Sequence, residues 1–112
     1  MDIFFRSRKL KRVCEDPKAM REKLGQNRAK KLRQRMAELK AADVLADISH
    51  LPPPRLHELI GQQKGMFSVD VAHPYRLLFI PADDPVPTKA DGGIDLKAVE
   101  SIEIVGIADT HG

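Results

Sequence analysis

The chain has 112 residues, the usual length of one domain, and a domain of that length buries roughly two-thirds of the surface its unfolded chain exposes. Hydrophobic residues at 42% and charged residues at 31% exclude a disordered chain, and aromatics at 4% with no Trp leave the core to aliphatic side chains. One cysteine excludes an internal disulfide, no run approaches the ~18 consecutive apolar residues of a membrane span, and the start, Met1 to Arg6, lacks a signal peptide's pattern, so a cytoplasmic protein is expected.

Charge is divided unevenly along the chain. Residues 1–40 carry 14 Lys/Arg against 5 Asp/Glu, and residues 41–112 carry 5 against 11. Such asymmetry suits a polyanionic partner for the first part, and it suits equally a solvated helix face.

Asp2 to Phe5 reads as an opening strand. Arg6 to Cys14 follows as a helix, with Leu10 and Val13 at helical spacing. Asp16-Pro17 has the form of an N-cap with Pro at the first helical position, and it starts a second helix running through Met20 and Leu24 to a stop at Gly25. From Gln26 to about Ala42, Ala29, Leu32, Met36 and Leu39 recur at three and four residues, which predicts the longest helix. Lys30, Lys31, Arg33 and Arg35 are read as the basic surface around that stripe. Val44, Leu45 and Ile48 suggest a short helical turn, and Pro52-Pro53-Pro54 a stiff polyproline-type segment.

Beyond the prolines, helical spacing gives way to β-type runs at Arg55–Leu59, Met66–Val71, Tyr75–Ile80 and Val99–Ile107. The first three are joined by connections short enough for an antiparallel meander, and Phe67, Val69 and Val71 share one face. The stretch 81–93 is rich in Pro, Asp and Gly and reads as a long loop. These elements predict one α+β domain over residues 1–112, helical over about 6–50 and sheet over about 55–111.

No metal-ligand spacing and no phosphate-binding glycine pattern is present, so neither a metal nor a cofactor is expected. Four polar residues fall on or beyond the strands: His57, Arg76, Asp109 and His111. RNA cleavage asks for little more. The substrate brings its own nucleophile, the 2′-hydroxyl, and the protein supplies a base for its proton, a cation for the phosphate and an acid for the leaving oxygen. Asp109 and His111 point to the same side if the last strand runs through them, which lets the carboxylate orient the imidazole. Plainer roles stand beside these: a satisfied half-buried His57, a structural ion pair for Arg76, a frayed surface His111, a turn residue in Lys64 and a small core side chain in Cys14.

Several runs, taken in order, resemble the HigB-like plasmid-maintenance killer proteins of the RelE/ParE toxin superfamily. They are Ala29-Lys30-Lys31-Leu32-Arg33-Gln34-Arg35, Leu51-Pro52-Pro53, Arg55-Leu56-His57-Glu58-Leu59 with Gly61, Phe67-Ser68-Val69, His73-Pro74-Tyr75-Arg76-Leu77 and Asp109-Thr110-His111. The resemblance implies a compact microbial-RNase-type fold, with N-terminal helices packed on a mostly antiparallel sheet. It also implies a toxin of a type II toxin-antitoxin system: an endoribonuclease that cuts mRNA on the ribosome, held in check by a HigA-like helix-turn-helix antitoxin. By position, His111, Asp109, Arg76 and His57 match the family's catalytic residues. Arg55, Lys64, Lys30, Lys31, Arg33 and Arg35 are the cations expected to meet messenger or ribosomal RNA.

Two positions depart from the pattern. Ile60 stands where relatives often carry Lys before the hairpin glycine, and Thr110 where they often carry Tyr. A cation, a stacking surface and a phenolic proton donor are thereby lost. Two alternatives remain: a non-enzymatic gyrase-binding toxin, since the superfamily the chain resembles includes such proteins and they do without the terminal Asp and His, and an inactive relative that only binds an antitoxin, for which Ile60 and Thr110 are the motive.

Overall fold

The computed structural model describes residues 1–61 and 65–109. Strand β1, Asp2–Phe5, leads into three consecutive helices: α1, Arg8–Glu15; α2, Pro17–Leu24; and α3, Gln26–Ala41. Local chemistry sets their limits. Ser7 caps α1, its hydroxyl accepting from the Leu10 N–H at 3.1 Å, and Asp16 caps α2 by accepting from the Lys18 N–H at 3.0 Å. Gly25 ends α2 at φ 84°, a backbone angle open to glycine, and its carbonyl accepts the Ala29 N–H of α3 at 2.9 Å. Among the described residues no helix is long and apolar enough to cross a membrane.

A 3-10 turn, Leu45–Asp47, and the proline-rich link lead to β2, His57–Glu58; β3, Phe67–Asp70; β4, Tyr75–Pro81; and β5, Ser101–Asp109. The five strands form one sheet in the order β1-β5-β4-β3-β2. The meander β2-β3-β4-β5 is antiparallel throughout, and β1 adds to β5 in parallel, Asp2 opposite Ser101. Opposite Leu78 and Phe79, β5 carries one extra residue, Val105, and this bulge shifts the register. Helices packed on a mostly antiparallel sheet make the α+β, RelE-like arrangement that the sequence led one to expect.

The core fills the space between the helices and one face of the sheet. Met20, Leu24, Leu32, Met36 and Leu39 meet Phe67, Val69, Leu77, Phe79, Ile102 and Ile104, all buried. Phe67 and Phe79 lie directly opposite on neighbouring strands and stack with ring centroids 6.1 Å apart. Cys14 is buried in the same core, as a small apolar side chain would be.

Three expectations need correction. Pro52–Pro54 forms a turn closed by the Arg55 N–H on the Leu51 carbonyl at 3.1 Å, not an extended spacer. The strand expected over 55–59 shrinks to two residues, because Arg55 has φ 51° and leaves the extended region. Arg35 does not belong to the solvent-facing basic surface: it is 3% exposed. Its position, three residues after Leu32 and four before Leu39, turns it inward with the apolar stripe. There its Nε donates to the Asp70 carbonyl at 2.7 Å and its guanidinium pairs with Glu38 at 3.2 Å, so the buried charge is satisfied.

The stretch after β4 is ordered. Thr88 and Ile94 form an isolated bridge around a turn at Gly92, and the Leu45 and Ala46 N–H groups donate to the Val99 and Leu96 carbonyls. Asp83 ties the end of β4 to the start of β5, accepting from the Glu100 N–H, the Ser101 N–H and the Ser101 hydroxyl, the last at 2.7 Å. Burial pushes its carboxyl up, but these donors outweigh that and hold it below the usual carboxylate range.

Candidate functional site

The strand pleat sorts the candidate residues by face. In one row across the face turned away from the helices stand His57, Ser68, Leu78 and Gly106; in the next stand Asp70, Arg76 and Ala108. His57 and Arg76 therefore share the outer face, two strands apart, which is roughly 10 Å across the sheet. His57 is exposed, and the Arg76 side chain makes no ion pair or hydrogen bond among the described residues. The Ser68 hydroxyl, between His57 and Leu78, is buried and has no hydrogen-bond partner among the described residues.

Asp109 is placed differently. As the last residue of β5 it pairs with Tyr75, one register step from Arg76, and so alternates toward the helix side. The strand runs on past Ile107 to Asp109, and it carries the carboxylate around to the opposite face from His57 and Arg76. Arg28 of α3 lies over the Tyr75 ring, its guanidinium carbon 4.9 Å from the centroid. His111 and Lys64 lie outside the described residues.

At this end of the sheet the β3–β4 connection forms a polar cleft of about 300 Å³ lined by Arg55, Asp70, His73, Pro74, Tyr75 and Arg76. Arg55 forks onto Asp70, Nε to Oδ2 at 2.7 Å and a terminal nitrogen to Oδ1 at 2.9 Å. That hydrogen bond and the neighbouring carboxylate charge raise the Arg55 pKa above its ordinary value. Two guanidiniums, a histidine and a phenol around one cleft suit an anionic ligand.

Of the remaining cations, Lys30, Lys31 and Arg33 are exposed on α3. Sequence reasoning passed over Arg28, His73, Tyr75 and Asp70 as contributors to this end of the sheet. Tyr75 and Asp70 flank the connection at 71–74, and a hairpin reading that paired the two strands would have placed Asp70 opposite Arg76.

The family model described as the RelE-like toxin of the type II toxin-antitoxin system HigB matches residues 3–87. That span takes in all three helices, strands β1 to β4 and the cleft, and stops short of β5 and the tail. No curated protein matches the chain. A match over most of the length, on a fold with the corresponding layers, is decisive: the chain belongs to the RelE-like HigB toxins, and as the toxin of a type II system it has an antitoxin for a partner.

Proposed function

We propose that this toxin is a metal-independent endoribonuclease that cuts mRNA on the ribosome in the bacterial cytoplasm and is silenced by a HigA-like helix-turn-helix antitoxin. The observation that carries the reading is the cleft at the strand ends, where Arg55 and Arg76 flank a space open to solvent beside Tyr75 and His73. A phosphodiester held there meets cations suited to the charge that builds on its oxygens in the transition state.

Arg76 holds the phosphate, and His57 assists from the same face. His111 serves as acid or base, with Asp109 as its partner or as a second base. Because Asp109 stands beside Tyr75 and not on the outer face, the reading puts the scissile phosphate over the end of the sheet, where groups from both faces meet. The 2′-hydroxyl attacks the adjacent phosphorus as a base takes its proton. The acid returns a proton to the departing 5′-oxygen, which yields a cyclic phosphate. Lys64 and Arg55 supply further positive charge, and exposed Lys30, Lys31 and Arg33 meet ribosomal RNA.

A gyrase-type protein binder is the second reading, favoured by Ile60, which stands exposed beside β2 where the nuclease reading wants a cation. Induced expression of the native chain and of His111→Ala, with primer extension on a test mRNA, separates the readings. Growth arrest with new mRNA 5′ ends that disappear in His111→Ala is the expected result. Arrest without cleavage supports the protein binder, and a folded chain that causes no arrest supports an inactive relative that only binds its antitoxin.

A further inference from the structure

We propose that Asp70 is an internal competitor for RNA phosphate: its carboxylate occupies the Arg55 guanidinium in the free protein, and single-stranded RNA binds by exchanging a backbone phosphate for it. The proposal rests on the nuclease reading and names the device that sets substrate affinity at the same cleft.

Geometry supplies the first argument. Arg55 presents two parallel N–H donors to two oxygens of Asp70, at 2.7 and 2.9 Å. A phosphodiester offers the same pair of oxygens, so the fork that accepts the carboxylate accepts the phosphate equally well. Accessibility supplies the second. The two side chains are 38% and 34% exposed, so the pair is screened by water and open to displacement by an incoming anion.

The surroundings make Asp70 the element that decides. It stands directly opposite Arg76 across the β3–β4 ladder, so one carboxylate lies among the cleft's two guanidiniums. Arg55 is held at φ 51°, in the left-handed region a non-glycine residue seldom occupies, so its position is imposed by the turn that precedes β2. Asp70 takes both of the donors that Arg55 offers in its fork, so a phosphate reaches them only by displacing the carboxylate.

The Asp70 backbone is anchored without its carboxylate. Its N–H donates to the Pro54 carbonyl at 2.8 Å, and its own carbonyl accepts from Arg35 Nε at 2.7 Å. Asp70→Asn therefore removes the charge and keeps both shape and anchors.

The test is fluorescence anisotropy with a short single-stranded RNA whose 2′-hydroxyls are methylated, so that it binds without being cut. Native protein, Asp70→Asn, Arg55→Gln and the double variant are compared over a range of salt. Asp70→Asn is expected to bind several-fold tighter at every salt concentration, because the phosphate then has no carboxylate to displace from Arg55. The gain is expected to vanish when Arg55→Gln is added.

Native protein that binds the RNA while Asp70→Asn binds no tighter overturns the competitor and leaves the nuclease reading standing. A gain that survives Arg55→Gln overturns it as well, because the exchange would not then run through Arg55. If no variant binds the RNA, the competitor is overturned, and the primer-extension test on the native chain decides the nuclease reading separately. Should Asp70→Asn fail to fold, Arg55→Gln alone decides. It leaves Asp70 unpaired beside Arg76 and is expected to weaken binding, and unchanged binding overturns the proposal.

Discussion

The Cys14 thiol is 3% exposed, and burial first, then the adjacent Glu15 carboxylate, pushes its pKa from 9.0 up to about 12. The sign of the resulting pH dependence follows directly. Between about pH 9 and pH 12 the unfolded chain has released this proton and the folded chain has not, so stability falls as pH rises through that window and is unaffected below it. Denaturant unfolding followed from pH 8 to 11 is expected to show this alkaline loss, and Cys14→Ala is expected to lessen it. Arg35 shows the same pressure met in another way. Its guanidinium is buried with partners, Glu38 and the Asp70 carbonyl taking the place of water. One side chain thereby links the longest helix to the strand that carries the cleft's carboxylate.

At the scale of elements, the joint between α2 and α3 depends on Gly25, whose φ of 84° and ψ of 165° lie in a region essentially reserved for glycine. Gly25→Ala meets no neighbouring atom, so its cost is purely conformational. It is expected to lower stability by about 1–3 kcal/mol, read as a reduced denaturation midpoint with an unchanged m-value.

This joint was legible in the sequence. Asp16-Pro17 and Gly25 are local signals, and the three-and-four spacing from Ala29 to Leu39 is a repeating one. The meander was legible too, since Phe67, Val69 and Val71 alternate and the connections are short. Arg35 was misread because residue type was weighed above helical phase, although its distance from Leu32 and Leu39 places it on the buried stripe. The faces of His57, Arg76 and Asp109 could not be compared without strand register. Register here depends on the bulge at Val105, which no local pattern announces.

Across the whole molecule, the uneven charge becomes a spatial arrangement. The basic helices form one layer, and the acidic second half supplies four of the sheet's five strands and the ordered stretch 82–100. If the helical layer is what meets ribosomal RNA, the joint reversal of Lys30, Lys31 and Arg33 to Glu is expected to reduce co-sedimentation with ribosomes while leaving the thermal midpoint within a few degrees. Undiminished co-sedimentation would assign these residues to solubility alone. Arg35 is kept out of that variant because its loss would unsettle the core.

The strand order carries a consequence for how such a protein comes into being. Strand β1 finds its partner in β5, about a hundred residues further on, which also lies between β1 and β4. Until β5 has been made, β1 has nothing to pair with, and β4, paired with β3 on one side only, is an open edge. Contacts this distant in sequence form late, after the costly closure of a loop nearly as long as the chain. A chain stopped before β5 therefore lacks the strand that joins β1 to the meander, and with it the closed sheet on which Arg76 sits.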